Sequence, residues 1–133
     1  MKGACLCGAI TVTTADHHQI SLCHCSICRH WGSGPMFALH CGVDVQFEGA
    51  SPARYRSSSW AERGFCAICG THLFYHLPDS GQYILSAGLF EAEALMLTSQ
   101  IFIDEKPAYY TLANRTEELT GAQVFAQFAA AQS

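Results

Sequence analysis

The 133-residue chain predicts a mostly-β domain stapled by bound metal, with a short helix at its C-terminal end. Three observations lead there. Short segments of alternating or β-branched character recur between turn residues, most of the cysteines fall in three tight clusters, and the tail has helix-forming composition. The length fits one domain, 1–133, which can bury roughly two thirds of its unfolded surface.

The strand candidates run in order as AITVTT at 9–14, MFALH at 36–40, VDVQF at 43–47, THLFYHL at 71–77, QYILSA at 82–87 and LTSQIFI at 97–103. GSGP at 32–35, GASP at 49–52 and PDSG at 78–81 supply the turns between them, because Gly, Pro, Asp and Ser each favour a tight reversal. These spacings suit antiparallel sheets. FEAEALM at 90–96 suggests a helical turn, and TEELTGAQVFAQFAAAQ at 116–132 a helix with Leu119, Val124, Phe125 and Phe128 on its apolar face.

Charge and hydropathy narrow the function classes. Seven Lys and Arg against eleven Asp and Glu leave a net charge of −4, with no basic stripe to neutralise phosphates, so nucleic acid is not an expected partner. No run approaches the ~18 uncharged apolar residues of a membrane span, and MKGACLCG lacks a signal-peptide core. The expected setting is cytoplasmic.

In that setting eight cysteines point to metal ligation or catalysis rather than disulfides, because the thiol pool keeps pairs reduced. Cys5 and Cys7 form CxC before Gly8, and Cys66 and Cys69 form CxxC before Gly70. A knuckle that aims two sulfurs at one ion needs a tight turn, which a following glycine accommodates. Two knuckles make one tetrahedral site, so Cys5, Cys7, Cys66 and Cys69 are expected to close a four-thiolate structural zinc cage. A redox-active CxxC fits less well, since nothing around Cys66 suggests a thioredoxin-like unit.

CHCSIC at 23–28 lacks the terminal glycine and carries Arg29 instead. Its three sulfurs need a second ion. In an extended segment Cys23 and Cys25 share a face and His24 takes the other, so His24 is placed as support or core rather than as ligand. Three protein ligands with an open fourth position is the arrangement of catalytic zinc. The alternative is a second structural cage completed by Cys41 or a histidine.

CLCGAI at 5–10, CHCSICR at 23–29, FCAICGTHLFY at 65–75 and IFIDEKPAYYTL at 101–112 together resemble the glutathione-dependent formaldehyde-activating enzyme family, which includes centromere protein V. The resemblance implies a β-tent of antiparallel sheets with two zinc ions. By position, Cys5, Cys7, Cys66 and Cys69 would be structural ligands, and Cys23, Cys25 and Cys28 catalytic ones. It also implies condensation of glutathione with formaldehyde to S-hydroxymethylglutathione, a carbon–sulfur lyase reaction when reversed. The implied partners are a small-molecule thiol and an aldehyde, or their adduct; any self-association is expected to be a homodimer.

The chemistry agrees with that implication. Zinc with three thiolates is a formally anionic centre that polarises water weakly, yet it accepts a further thiol readily. Thiol chemistry suits it better than hydrolysis. The candidate catalytic residues are His24 and His30, nearest the motif as proton carriers, and Arg29, which could offset the negative charge or pair with a substrate carboxylate. His72 and His76 share a strand face with Phe74 and read as satisfied or surface histidines. Trp31, Phe37, Trp60, Phe65, Phe74 and Tyr75 read as core aromatics, Tyr109 and Tyr110 as packing residues, and Cys41 as a buried, inert thiol. The competing class is a noncatalytic zinc module with two structural sites that mediates protein interaction.

Overall fold

The computed structural model describes residues 1–132. The chain forms two compact units, one built from Met1–His18 and Ala38–Leu95, the other from Gln19–Phe37 and the chain from Met96 onward. The first is mostly β; the second combines the strands of a parallel group with two short helices, one of them near the C-terminus.

In the first unit, β1 (Lys2–Ala4) pairs antiparallel with β2 (Ile10–Thr14). The strands β3 (Gln19–Cys23) and β4 (Met36–Gly42) follow in the chain, and then β5 (Val45–Gly49) completes the sheet on the other edge of β2. A second antiparallel ribbon runs β4, β9 (Gln82–Ser86), β8 (His72–Leu77), β7 (Glu62–Phe65) and β6 (Ala53–Arg56). Alternation decides which face is dry: Ile10 and Val12 of β2 are buried while Thr13 is exposed. Phe47 of β5 meets Phe74 of β8 at 5.2 Å and Tyr83 of β9 at 5.5 Å between ring centroids, which locks the two sheets face to face. Gly64 stands directly across from Phe74, and the ring fills the space a side chain would need.

The second unit departs from the antiparallel expectation. Here β3 pairs parallel with β10 (Met96–Ile101), and β10 pairs parallel with β11 (Glu117–Leu119). Parallel strands need a long connection rather than a hairpin, and the chain supplies one by building most of the first unit between β3 and β10. The helix α1 (Ser26–Gly32) follows β3, and α2 (Gly121–Gln132) ends the described chain.

The C-terminal helix is shorter than its composition suggests, because residues 117–119 leave to pair with β10. Thr120 marks the boundary. Its Oγ1 accepts from Gln123 N at 3.2 Å while its own N donates to Gln123 Oε1 at 2.8 Å, a reciprocal capping box. Leu119 therefore belongs to the strand, whereas Val124, Phe125 and Phe128 belong to the helix. The expected helical turn at 90–96 is a single 3₁₀ turn at Ala92–Ala94.

Candidate metal centres

The first cluster is assembled by two hairpin turns of the first unit. Cys5 and Cys7 lie in the turn joining β1 to β2, and Cys66 and Cys69 in the turn joining β7 to β8. The turns share one hydrogen-bond plan. Cys5 N donates to Ile10 O at 3.0 Å and Cys66 N to Thr71 O at 2.9 Å, so each turn is closed five residues on. Inside them, Gly8 N returns to Cys5 O and Gly70 N to Cys66 O. Both glycines sit at φ 78° with open space where a side chain would be. Only glycine takes that conformation without strain.

The four sulfurs all lie within 4.8 Å of one another. Cys5 Sγ is 3.6 Å from Cys7 Sγ, which is 3.8 Å from Cys66 Sγ. Those separations far exceed the ~2.05 Å of a disulfide. They match the ~3.8 Å expected between sulfurs placed tetrahedrally about zinc at ~2.3 Å. Among the described residues no cysteine is in a disulfide. The donor set fits zinc.

Thr71 ties the two turns together, accepting from Leu6 N at 3.1 Å and lying 3.1 Å from Cys69 Sγ. Hydrogen bonds from the Thr71 side chain and backbone pull the Cys69 thiol down to about 5. Cys7 moves the other way: the Ala9 backbone favours its thiolate, but burial and the neighbouring sulfurs outweigh that bond and push it up to about 12. Without a cation the four sulfurs therefore cannot all be ionised at neutral pH.

The second cluster is contiguous in sequence and belongs to the second unit. Cys23 ends β3, Cys25 is extended at φ −63° and ψ 156°, and Cys28 lies in the first turn of α1. The extended reading of CHCSIC thus holds through Cys25 and gives way to helix from Ser26. The reason is a cap that no Ser, Thr, Asp or Asn announces: the Cys25 side chain itself accepts from Cys28 N at 3.4 Å. The three sulfurs lie within 4.8 Å of one another. The sulfurs of Cys25 and Cys28, followed by burial, drive the Cys23 thiol far upward, so a cation is needed before all three can be thiolates. This donor set fits zinc as well.

His24 is absent from that cluster among the described residues. Its side chain is fully buried, with Nδ1 at 2.7 Å from Tyr110 Oη and Nε2 at 2.8 Å from Gln100 Oε1. Its backbone is held too, by Ile101 O at 3.1 Å and by Arg29 Nε, which donates to His24 O at 2.9 Å. Arg29 is half-buried on α1, and His30 beside it is exposed. Glu105 accepts from Ser26 N at 3.1 Å, bringing the 100–110 segment against the start of α1.

Tyr110 and Gln100 are the functional neighbours that the sequence reading missed. Tyr110 stood beside Tyr109 as an apparent packing pair, yet Tyr109 is 76% exposed while Tyr110 turns inward to His24. Its phenol is pushed up, first by burial and then by Tyr109, which keeps the hydroxyl a donor. Neither residue left a local signal in the sequence, since Gln100 and Tyr110 lie 76 and 86 residues along the chain from His24. Elsewhere, Cys41 is 4% exposed with its thiol raised by burial, as expected of an inert cysteine. Of the six aromatics read as core, Phe74 is fully buried, Trp31, Phe65 and Tyr75 are half-buried, and Phe37 and Trp60 are exposed. His76 packs against Phe74 as its parity requires, and its Nδ1 is 2.8 Å from Glu62 Oε1.

Fold and cysteine geometry define a mostly-β protein with two thiol clusters able to hold a metal ion, one of four sulfurs and one of three. The model of the family described as glutathione-dependent formaldehyde-activating enzyme matches residues 1–105, and the chain belongs to that family. An uncharacterized lyase of Schizosaccharomyces pombe is 37% identical over 127 residues, covering 92% of this chain and 93% of that protein. A Halomonas elongata protein, provisionally named a glutathione-dependent formaldehyde-activating enzyme, is 28% identical over 89 residues, covering 59% of this chain and 57% of that protein. A crystal structure of a Rhodobacter sphaeroides protein has the same fold, with a TM-score of 0.57 and 23% identity over 68% of this chain and 88% of that one. Among the described residues no helix is long and apolar enough to cross a membrane.

Proposed function

We propose that the chain is a zinc-dependent carbon–sulfur lyase-like enzyme of the S-hydroxymethylglutathione synthase type. Its substrate thiol would enter at the Cys23, Cys25 and Cys28 centre. The observation that carries this is the three-sulfur cluster, which no fourth Cys, His, Asp or Glu joins among the described residues. Zinc bound there would supply a thiolate-rich Lewis-acidic position that keeps an incoming thiol ionised at neutral pH. The names borne by the fission-yeast and Halomonas relatives support the lyase class and a glutathione and formaldehyde chemistry respectively.

In the synthetic direction the thiol loses its proton, its sulfur bonds the aldehyde carbon, and the carbonyl pair moves to oxygen, which takes up a proton. The lyase direction reverses each step. Arg29 has guanidinium N–H groups beyond the Nε used on His24 O, which suits it to a substrate carboxylate. His30, exposed on α1, suits proton exchange with solvent. His24, with both ring nitrogens engaged, suits support of the ligand segment. A cytoplasmic setting, where thiols stay reduced, belongs to the same proposal.

The test is cobalt(II)-substituted protein titrated with glutathione and with a simpler thiol. Saturable growth of sulfur-to-metal absorption, with proton release, is the expected result. A spectrum unmoved by either thiol would overturn the reading and leave the noncatalytic zinc module in its place.

A further inference from the structure

The motif Cys23-His24-Cys25 sets an imidazole between two sulfurs of the cluster, yet the ring lies outside that cluster and is engaged by a network of three other side chains. Gln100 Nε2 donates to Thr116 Oγ1 at 3.0 Å, which leaves Gln100 Oε1 to accept. The His24 Nε2–H therefore donates to that oxygen at 2.8 Å, and Nδ1 accepts the Tyr110 O–H at 2.7 Å. Every polar atom of the ring is used, at a side chain with 0% exposure. These partners come from β10 and from the irregular segment that leads to β11, 76 and 86 residues along the chain from the histidine. Lys106 fixes the same segment, donating to Tyr110 O at 2.6 Å and to Pro107 O at 3.2 Å.

A buried imidazole that lost these partners would have no water to replace them, and unsatisfied buried polar groups are costly. A ring freed of them would no longer be locked on the strand face opposite Cys23 and Cys25, and imidazole is a good zinc ligand. We infer that Tyr110 and Gln100 are positioning residues that lock His24 on the strand face opposite Cys23 and Cys25, and so help to hold the fourth coordination position of the three-cysteine centre open for an external ligand. Thr116 fixes the orientation of the Gln100 amide and completes the latch. The inference rests on the proposed entry of a substrate thiol only for the identity of that ligand. The exclusion of His24 is a separate claim.

The experiment compares the full-length wild type, Tyr110→Phe, the Tyr110→Phe/Gln100→Leu double variant, and that double variant with His24→Ala added, all loaded with cobalt(II). In the double variant the visible spectrum should shift from a sulfur-and-solvent pattern to one with a nitrogen ligand. Thiol affinity should fall by about tenfold or more, the scale seen when groups supporting metal ligands are removed. Adding His24→Ala should restore both the spectrum and thiol uptake, which a merely structural role for the network does not predict. A double variant that keeps the wild-type spectrum and thiol titration overturns the inference. Should the double variant fail to fold, Tyr110→Phe decides: a loss of thiol affinity reversed by His24→Ala supports the latch, and unchanged affinity overturns it. If the wild type takes up no thiol, the proposed function fails. The latch is then judged by the His24-dependent spectral change alone.

Discussion

The two cysteine clusters are built in opposite ways. The four-sulfur cluster joins turns whose sulfurs are 59 residues apart in the chain, as Cys7 and Cys66 show, and both turns are hairpins with matching glycines at φ 78°. The three-sulfur cluster comes from six consecutive positions at a strand-to-helix junction, and its surroundings are polar side chains from distant segments rather than more sulfurs. An ion in the first closes the fold, because four protein donors fill a tetrahedron and long-range chain ends meet there. An ion in the second closes almost no loop, so its binding adds little to chain order. On the proposed function, that difference would separate a metal used as a staple from a metal presented to a ligand.

Removing a staple should show the largest effect. Cys69→Ser should abolish soluble expression or cooperative melting, because structural zinc supplies ~10–16 kcal/mol in small zinc domains. That matches or exceeds the ~5–15 kcal/mol stability of a whole domain. Next comes metal removal. Elemental analysis of protein purified without chelator should give two zinc ions per chain, and a graded chelator titration should take the count to one before the fold melts. Simultaneous loss of both ions would erase the distinction between the sites.

Acid should act in the same order. Protons compete with metal for thiolates, so affinity falls as pH falls. The four-sulfur ion has four protein donors and the other only three, so lowering the pH from neutral should release the three-sulfur ion first, with metal release read in a dye assay. Thr71→Val is a smaller perturbation, costing about 1–2 kcal/mol in thermal melts for two lost hydrogen bonds, one to Leu6 N and one to Cys69 Sγ. Smallest of all should be Cys25→Ser: serine is a good N-cap and can accept from Cys28 N as the cysteine does. Stability should change by less than about 1 kcal/mol while thiol uptake disappears. A large melting shift here would make the second site structural.

The stapled region was the legible one. Gly8 and Gly70 after paired cysteines signalled both turns, and the alternation of residues 9–14 and 71–77 marked β2 and β8 nearly to their ends. The strands β3, β6 and β7 escaped notice because QISLC, ARYR and ERGF are short and interrupted by polar residues or glycine. Their strand character comes from pairing with neighbours rather than from propensity. Parallel pairing of β3 with β10 leaves no local mark at all, since its two strands are separated by most of the first unit. The α1 start was hidden by its unusual cap, and β11 by the helix-forming residues Glu117, Glu118 and Leu119. Around CHCSIC the grouping of the three sulfurs was plain in the spacing. The partners of His24 were not, because Gln100 and Tyr110 reach it only through the tertiary fold.

The wide separation of the two hairpin turns also sets a timetable for synthesis. Cys5 and Cys7 leave the ribosome before Cys66 and Cys69, with two of the four sulfurs of their cluster. At ~5–20 residues per second, the 59 residues between Cys7 and Cys66 take roughly 3–12 s to make. Throughout that interval the N-terminal thiols are exposed to oxidants and to other soft metals that two thiolates can hold. CHCSIC is finished within that same interval and carries all three of its sulfurs on one short segment. The nascent chain can therefore complete the donor set of its second centre before that of its first.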